Sequence, residues 1–318
     1  MKLLALLAAL LIEQVRPLRQ GNTVHTAYGL FAQYLQHLLD AGQFRQGVVA
    51  WLLAVAPLTV LVFAAEQLLL HINEPLALLF SVGVLYLTIG FRKFSNFFNE
   101  INNLLKSGEV AAAREQLRLW RNEDSGELDS NAIAKMAIEL GLMSSHRNVF
   151  GPVAWFMVFG PAGALLYRLA AMLLEQWLVR NPPESAVSGV PSMPGAANEF
   201  ALFTVRAFEV IDWLPARLTA ASFAIVGNFQ DAVDCWRSQT TVWADKAQGI
   251  ILASGAGALG VKLGGELHEY GRVRYRPEWG IGDDADADYL SSAVGLIWRA
   301  MVMWVLLLAV VTIAHSLG

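Results

Sequence analysis

The stretch 149–174 constrains this chain more than any other: VFGPVAWFMVFGPAGALLYRLAAMLL, with Arg168 as its only charge. At 1.5 Å rise per residue a helix of that length exceeds the ~30 Å hydrocarbon layer of a bilayer, so it can cross even with a bend at Pro161. Composition points the same way. Apolar residues make up 55% of the chain and charged residues 16%, with a mean hydropathy of +0.44, where soluble domains carry about 25% charge. The expected class is an all-α membrane protein whose partner is the lipid bilayer. A net charge of −4 provides no basic stripe for phosphates, which argues against a nucleic-acid partner. One cysteine, Cys235, excludes an internal disulfide and any paired-cysteine metal or redox site; it reads as a small half-buried side chain.

The remaining apolar blocks fill in the architecture. Residues 1–12 form an apolar run behind Lys2, without a polar spacer or small-residue cleavage site, and read as an uncleaved membrane-associated helix ended by Arg16-Pro17. Residues 20–47 read as an amphipathic helix, and 48–65 and 75–91 as a helical hairpin joined by a loop at 66–74. Residues 92–148 carry eight Lys or Arg and read as soluble helices with a turn around Asp124-Ser125-Gly126. After the long apolar run, Pro182-Pro183, Pro191 and Pro194 mark a flexible loop. The block 210–229 holds Asp212 and Arg217 around Pro215 and reads as a crossing, broken or re-entrant helix. Residues 294–314 make the last span, with Arg299 snorkelling from its start.

The sequence therefore predicts a polytopic integral membrane helical bundle with about five transmembrane segments and two cytoplasmic helical loops. Its parts are 1–91 (N-terminal helix, amphipathic segment and hairpin), 92–148 (cytoplasmic loop), 149–229 (central membrane segments with an external loop), 230–293 (cytoplasmic glycine-rich segment) and 294–318 (final span). The Lys and Arg distribution places 92–148, 230–293 and the N-terminus in the cytoplasm and 175–209 outside.

Among motifs, 254–260 contains a literal GxGxxG, with Asp283 downstream. No strand pattern precedes it and no βαβ alternation surrounds it, so a dinucleotide site does not fit. Ala256, Gly260 and Gly264 fall four apart, the spacing of one helix face where small residues admit another helix. The six histidines show no metal-ligand spacing.

The longer segment 256–283, AGALGVKLGGELHEYGRVRYRPEWGIGD, resembles the glycine-rich segment of the adenosylcobinamide-phosphate synthase (CobD/CbiB) family. Residues 160–168, GPAGALLYR, are similar to that family's Gly-Pro-x-Gly-Ala-x-x-Tyr-Lys/Arg helix. Residues 214–218, LPARL, are similar to its Pro-Ala-Arg-Leu motif, and 25–29 resemble part of a His-Pro-x-x-x-x-Gly element. Members of the family are inner-membrane proteins that join aminopropanol or its phosphate to a corrinoid carboxyl in an ATP-consuming, amide-forming step of cobalamin synthesis. The resemblance implies catalytic roles for Glu139, Glu209, Asp212 and Asp283, with Glu139, Glu209 and Asp283 holding metal. It implies substrate binding by His25, Arg168, Arg206, Arg217, Lys262, Tyr270 and Arg276, Mg-ATP as cofactor if the protein is catalytic, and a corrinoid or other large phosphorylated substrate. A homo-oligomer is compatible with it.

The family's Glu-Ser/Thr-x-Ala-Glu-Asn-x-x-Asp-Gly helix corresponds to 139–148. Glu139 remains there, while later polar positions are Met143, Ser144 and Arg147; after Arg168, Leu174 stands where an Asp is expected. These replacements predict weak or absent synthase activity. They resemble the related AmpE group, membrane proteins implicated in modulating β-lactamase induction, so a non-catalytic modulator is the alternative.

Overall fold

The computed structural model describes residues 1–16, 23–40, 42–121, 128–179, 199–240, 245–269 and 272–317. The expected turn at 124–126 and the proline-rich loop lie outside these. The chain divides into two compact units, each assembled from two segments: Met1–Gly90 with Arg147–Pro215, and Phe91–His146 with Ala216–Gly318.

The first unit is built from α1 (Lys2–Val15), α2 (Thr23–Leu39), α3 (Phe44–Ile72), α4 (Glu74–Thr88), α8 (Gly151–Val179) and the first part of α9 (Glu199–Val226). Small residues let its helices approach closely. Gly47, Ala50 and Ala54 share one face of α3 at spacings of three to four and are buried; a Cβ at Gly47 would meet the Phe200 carbonyl. Trp177, Phe200, Tyr167 and Trp51 fill the core around them. Elsewhere on α3, and chiefly in its second half, Leu53, Val60, Leu61 and Phe63 are all exposed. A helix both strongly apolar and exposed needs lipid, not water, beside it. The loop expected at 66–74 is nearly absent: α3 runs to Ile72, and Asn73 alone separates it from α4.

Among the described residues, three helical runs are long and apolar enough to cross a membrane: Phe44–Ile72, Ser130–Leu178 and Ala287–Ala314; Glu74–Thr88 is apolar but shorter. The protein is an all-α-type membrane protein in its bulk. The central run, however, is not the straight span expected of 149–174. Phe159 and Gly160 leave helical geometry, Gly160 with φ 63° and ψ −153°, a conformation essentially reserved for glycine. The chain there turns back on itself. A Cβ at Gly163 would strike the Trp155 carbonyl, and one at Gly151 the Tyr167 ring. Arg168 reaches Asn148, twenty residues earlier, at 2.6 Å. These three pairs, each nearly symmetric about residue 159, define an antiparallel helical hairpin with limbs on either side of Gly160. Pro161 opens the second limb, where a missing N–H costs nothing. At the end of the first limb the break frees backbone carbonyls, and the Lys2 ammonium satisfies one of them, donating to the Met157 oxygen at 2.9 Å.

Proline has the opposite outcome in α9. Of the crossing, broken or re-entrant alternatives for 210–229, a broken helix is not what forms: α9 continues from Glu199 to Val226 with Pro215 inside it.

The second unit contains α5 (Phe91–Lys106), α6 (Val110–Arg121), α7 (Ser130–Ser145), the rest of α9, α10 (Phe229–Gln239), α11 (Lys246–Leu259) and α12 (Ala287–Leu317). A π turn, His146–Phe150, follows α7. Residues 249–258 of α11 are all buried, so α11 is the unit's central rod. Gly255 meets Leu142 and Gly257 meets the Asp231 backbone, while the Ser254 hydroxyl donates to the Ala220 carbonyl at 2.7 Å. The close-packing glycines are therefore Gly255 and Gly257. The expected helix face through Ala256, Gly260 and Gly264 does not form, because Gly260 ends α11 in the left-handed region (φ 68°).

Beyond Gly260 the segment expected to be helical is a small β structure. Strand β1 (Val261–Gly264) lies between β4 (Glu278–Trp279), antiparallel with Leu263 opposite Trp279, and β5 (Asp283–Asp284), parallel with Val261 opposite Asp283. Strands β2 (Leu267–Glu269) and β3 (Arg272–Arg274) form a separate hairpin.

Candidate functional site

Polar chemistry concentrates at one place in each unit. In the second, Glu139 projects from α7 and is buried among apolar neighbours. Its Oε1 accepts from the Gly264 amide at 2.8 Å, and Arg276 closes on both its oxygens, Nη1 to Oε2 at 2.7 Å and Nη2 to Oε1 at 3.2 Å. A planar guanidinium matches a carboxylate in this two-pronged way. Gly264 ends β1 at positive φ, where a Cβ would strike the Pro277 carbonyl, so the amide can face Glu139 only because the residue is glycine. Two sequence-predicted residues, Glu139 and Arg276, thus meet, but as partners that lock the glycine-rich β structure onto α7.

The other predicted residues of this unit are dispersed. Lys262 and Asp283 are exposed on β1 and β5, and Asp283 accepts from the Tyr289 hydroxyl at 3.0 Å. Arg217 is half-buried on α9. Tyr270 lies outside the described residues.

In the first unit the hairpin organises the site. Tyr167 is fully buried against Gly151 and donates to the buried Asp212 at 2.8 Å; the Trp155 indole donates to the Ile211 carbonyl at 3.0 Å. Both bonds fasten the hairpin to α9. One residue after Tyr167, half-buried Arg168 donates to the Asn148 side-chain oxygen. His25 lies 3.0 Å from the Leu87 carbonyl, at the end of α4. Arg206 is exposed over the Phe44 ring, 5.7 Å from its centroid, a cation–π contact, and Glu209 is exposed on the same helix. On α2, burial pushes the Tyr28 phenol well above its usual range, and its hydroxyl has no partner among the described residues.

Sequence reasoning missed Asn148 as the partner of Arg168 and Gly151 as the seat of Tyr167. The Gly160-Pro161 pair was the available signal, since a glycine that can turn followed by a proline that can start a helix is what a reversal requires.

The implied Mg²⁺ does not fit these residues. Both Glu139 oxygens are committed to Arg276 and Gly264, and among the described residues no three His, Cys, Asp or Glu side chains gather as a metal site.

Comparison with known proteins agrees with the motifs. The family described as CobD/Cbib protein matches residues 3–175 and 186–297. The cobalamin biosynthesis protein CobD of Stutzerimonas stutzeri is 32% identical over 96% of this chain and 96% of its own. That of Chromobacterium violaceum is 33% identical over 81% of this chain and 77% of its own. A probable cobalamin biosynthesis protein CobD of Methanothermobacter thermautotrophicus is 23% identical over 80% of this chain and 83% of its own. No solved structure matches. The match runs through α1 to the start of α12, so the hairpin and the Glu139 lock both fall within it, and the chain belongs to the CobD/CbiB family.

Proposed function

We propose that this protein acts in cobalamin biosynthesis, joining an amino alcohol or its phosphate to a carboxyl of a corrinoid through an amide bond, with ATP consumed. The observation that carries this reading is the end-to-end agreement with a relative bearing that name, 32% identical over 96% of both chains. Residues that depart from the family pattern, Met143, Ser144 and Arg147, lie beyond Glu139, whose bonds to Arg276 and Gly264 hold the glycine-rich segment, so their replacement leaves that fold intact. Expression in a strain lacking the synthase, with cobyric acid as sole corrinoid source, tests it. Weak growth is the expected result, since Met143, Ser144 and Arg147 replace polar positions of the family motif; a folded, membrane-inserted protein that gives none would overturn the reading.

The proposed setting is the bacterial inner membrane, with the N-terminus and residues 92–148 and 230–293 cytoplasmic, which the Lys and Arg distribution supports. The reversal at Gly160 supports a change to the assignment of 175–209. A chain that turns back leaves on the side from which it came, so residues 175–179 belong on the same side as residue 148. In a Cys235→Ala background, cysteines replacing Ser107 and Glu175 should both resist an impermeant thiol reagent applied from the periplasm. Labelling of either would refute the arrangement.

A further inference from the structure

The tip of the hairpin gathers a second set of polar groups, and the sequence makes the first of them unavoidable. In a continuous helix the Met157 carbonyl would accept from the N–H of residue 161, but that residue is Pro161 and has none. The Val158 carbonyl faces the same break, two residues before Gly160 leaves helical geometry. Both oxygens lie at the C-terminal end of the first limb, where the helix dipole is negative. The Lys2 ammonium of α1 donates to them, to Met157 at 2.9 Å and to Val158 at 3.4 Å. Glu66 of α3 reaches the same turn. Its carboxylate lies against Gly160, where a Cβ would come within 2.8 Å of one oxygen and 3.0 Å of the other, so the glycine that reverses the chain also makes room for the acid. Glu66 stands on a run apolar enough to cross a membrane, where a carboxylate is costly and persists when it has a positive charge to hold. Its charge and that of Lys2 act on each other, yet it accepts no hydrogen bond among the described residues. Lys2 and Glu66 line one cavity of about 40 Å³ together with Ser81 of α4 and Phe156 of the first limb, which is room for roughly three waters. Ser81 is only 8% exposed, and its hydroxyl has no partner among the described residues.

We propose that the hairpin tip is a binding site for a small monovalent cation, with the Lys2 ammonium as its built-in occupant. Carbonyl oxygens freed at a helix break, joined by a carboxylate and a hydroxyl, are the ligands such a cation takes inside a membrane protein. One carboxylate matches one positive charge. An ammonium brings three N–H groups; the two carbonyls take two of them, and water in the cavity carries the third to Glu66 or Ser81. Helix α1 is then held to the hairpin as a tethered ligand, and not by apolar packing alone. Lys2 is exposed, so the site is reachable and a free cation takes the place of the ammonium once that ammonium is removed. The site depends on the break at Gly160-Pro161 and not on a reaction, so it stands whether or not the chain supports growth on cobyric acid.

The test uses the full-length protein purified in detergent and follows its thermal midpoint. Lys2→Ala should lower the midpoint by about 3 °C or more. Methylammonium chloride should restore most of that loss in a saturable way. Choline chloride at the same ionic strength, equally charged but bulky and without N–H groups, should not. Wild type, whose site is filled, should respond to the two salts alike, and adding Glu66→Gln to Lys2→Ala should abolish the gain specific to methylammonium. An unchanged midpoint in Lys2→Ala, equal responses of that variant to the two salts, or a gain that survives Glu66→Gln would overturn the site. Where Lys2→Ala yields no folded protein, Lys2→Gln keeps a donor for the Met157 carbonyl while removing the charge. Its loss should then be less than additive with that of Glu66→Gln, and strictly additive losses would overturn the site.

Discussion

The apolar hairpin of α8 and the glycine-rich segment after α11 both read as helix in the sequence, and both depart from it at a glycine with positive φ. The departures differ in kind. In α8 the helix resumes at once: Gly160 reverses the chain, Pro161 restarts it, and Gly151 and Gly163 let the limbs touch. After Gly260 no helix returns among the described residues until Ala287, and the glycines at 264, 265, 280 and 282, all at positive φ, shape short strands instead. The side chains between the glycines account for the contrast. In 161–179 they are helix-compatible and apolar, so two limbs can bury each other. In 261–284 charged residues alternate with Val261, Leu263 and Trp279, and only one edge can be buried. Glycine marks where regular structure ends; its neighbours decide whether a helix or a strand comes next.

If closure of the hairpin depends on small residues, Gly163→Leu should be the most damaging single change. The new side chain would have to displace the Trp155 backbone, which has nowhere to go. The expected outcome is loss of monodisperse protein in size-exclusion chromatography, with the corresponding change Gly295→Leu, which meets open space, tolerated.

The glycine-rich segment depends instead on one charged lock. Glu139→Gln leaves Arg276 largely buried without its counter-charge and should cost about 3 kcal/mol, measured by denaturation in detergent. Combining it with Arg276→Met should cost less than the sum of the two single changes, since the pair then leaves no orphaned charge.

A smaller effect is expected at the fastening of the hairpin to α9. Tyr167→Phe removes the hydroxyl that donates to the buried Asp212 while keeping the ring against Gly151. A loss of about 1–2 kcal/mol is expected, the usual result of depriving a buried acceptor of a donor.

The smallest effect lies outside both regions, at Cys235 on α10. Burial raises its thiol above the ordinary value, and Asp231 and Asp234 add to the rise. The neutral thiol is therefore favoured in the folded state. Its contribution to stability is fully present below the unfolded thiol's value, about 8.5, and declines as pH rises from there toward the folded value. Cys235→Ser should flatten that alkaline decline in a pH series of thermal midpoints.

Much of the helical framework was legible from apolar and amphipathic periodicity: α1 and α2 overlie the helices expected at 1–12 and 20–47, while α3 begins inside the second of these and absorbs the loop expected at 66–74. Three features were not. The reversal at Gly160 depends on pairs sixteen and twenty residues apart, Gly151 with Tyr167 and Asn148 with Arg168, and local composition carries no trace of such pairing. The strands of the glycine-rich segment are two to four residues long, too short for a period of two to emerge. Pro215 sits within a helix that tolerates it, where Pro161 comes directly after a break; the residue type is the same, and the preceding Gly160 makes the difference. For the site, the residue types were readable and the pairing was not: Glu139 and Arg276 each suggested a ligand, and they are ligands of each other.

The most direct test of the hairpin is the distance between residues 148 and 168. Along a straight helix they would stand about 30 Å apart; in the hairpin their side chains are in hydrogen-bonding contact. Cysteines at both positions in a Cys235→Ala background, treated in membranes with a short bismaleimide and analysed by mass spectrometry, should give an intramolecular cross-link in high yield. Modification of each cysteine alone, with no link between them in well-folded protein, would contradict the hairpin.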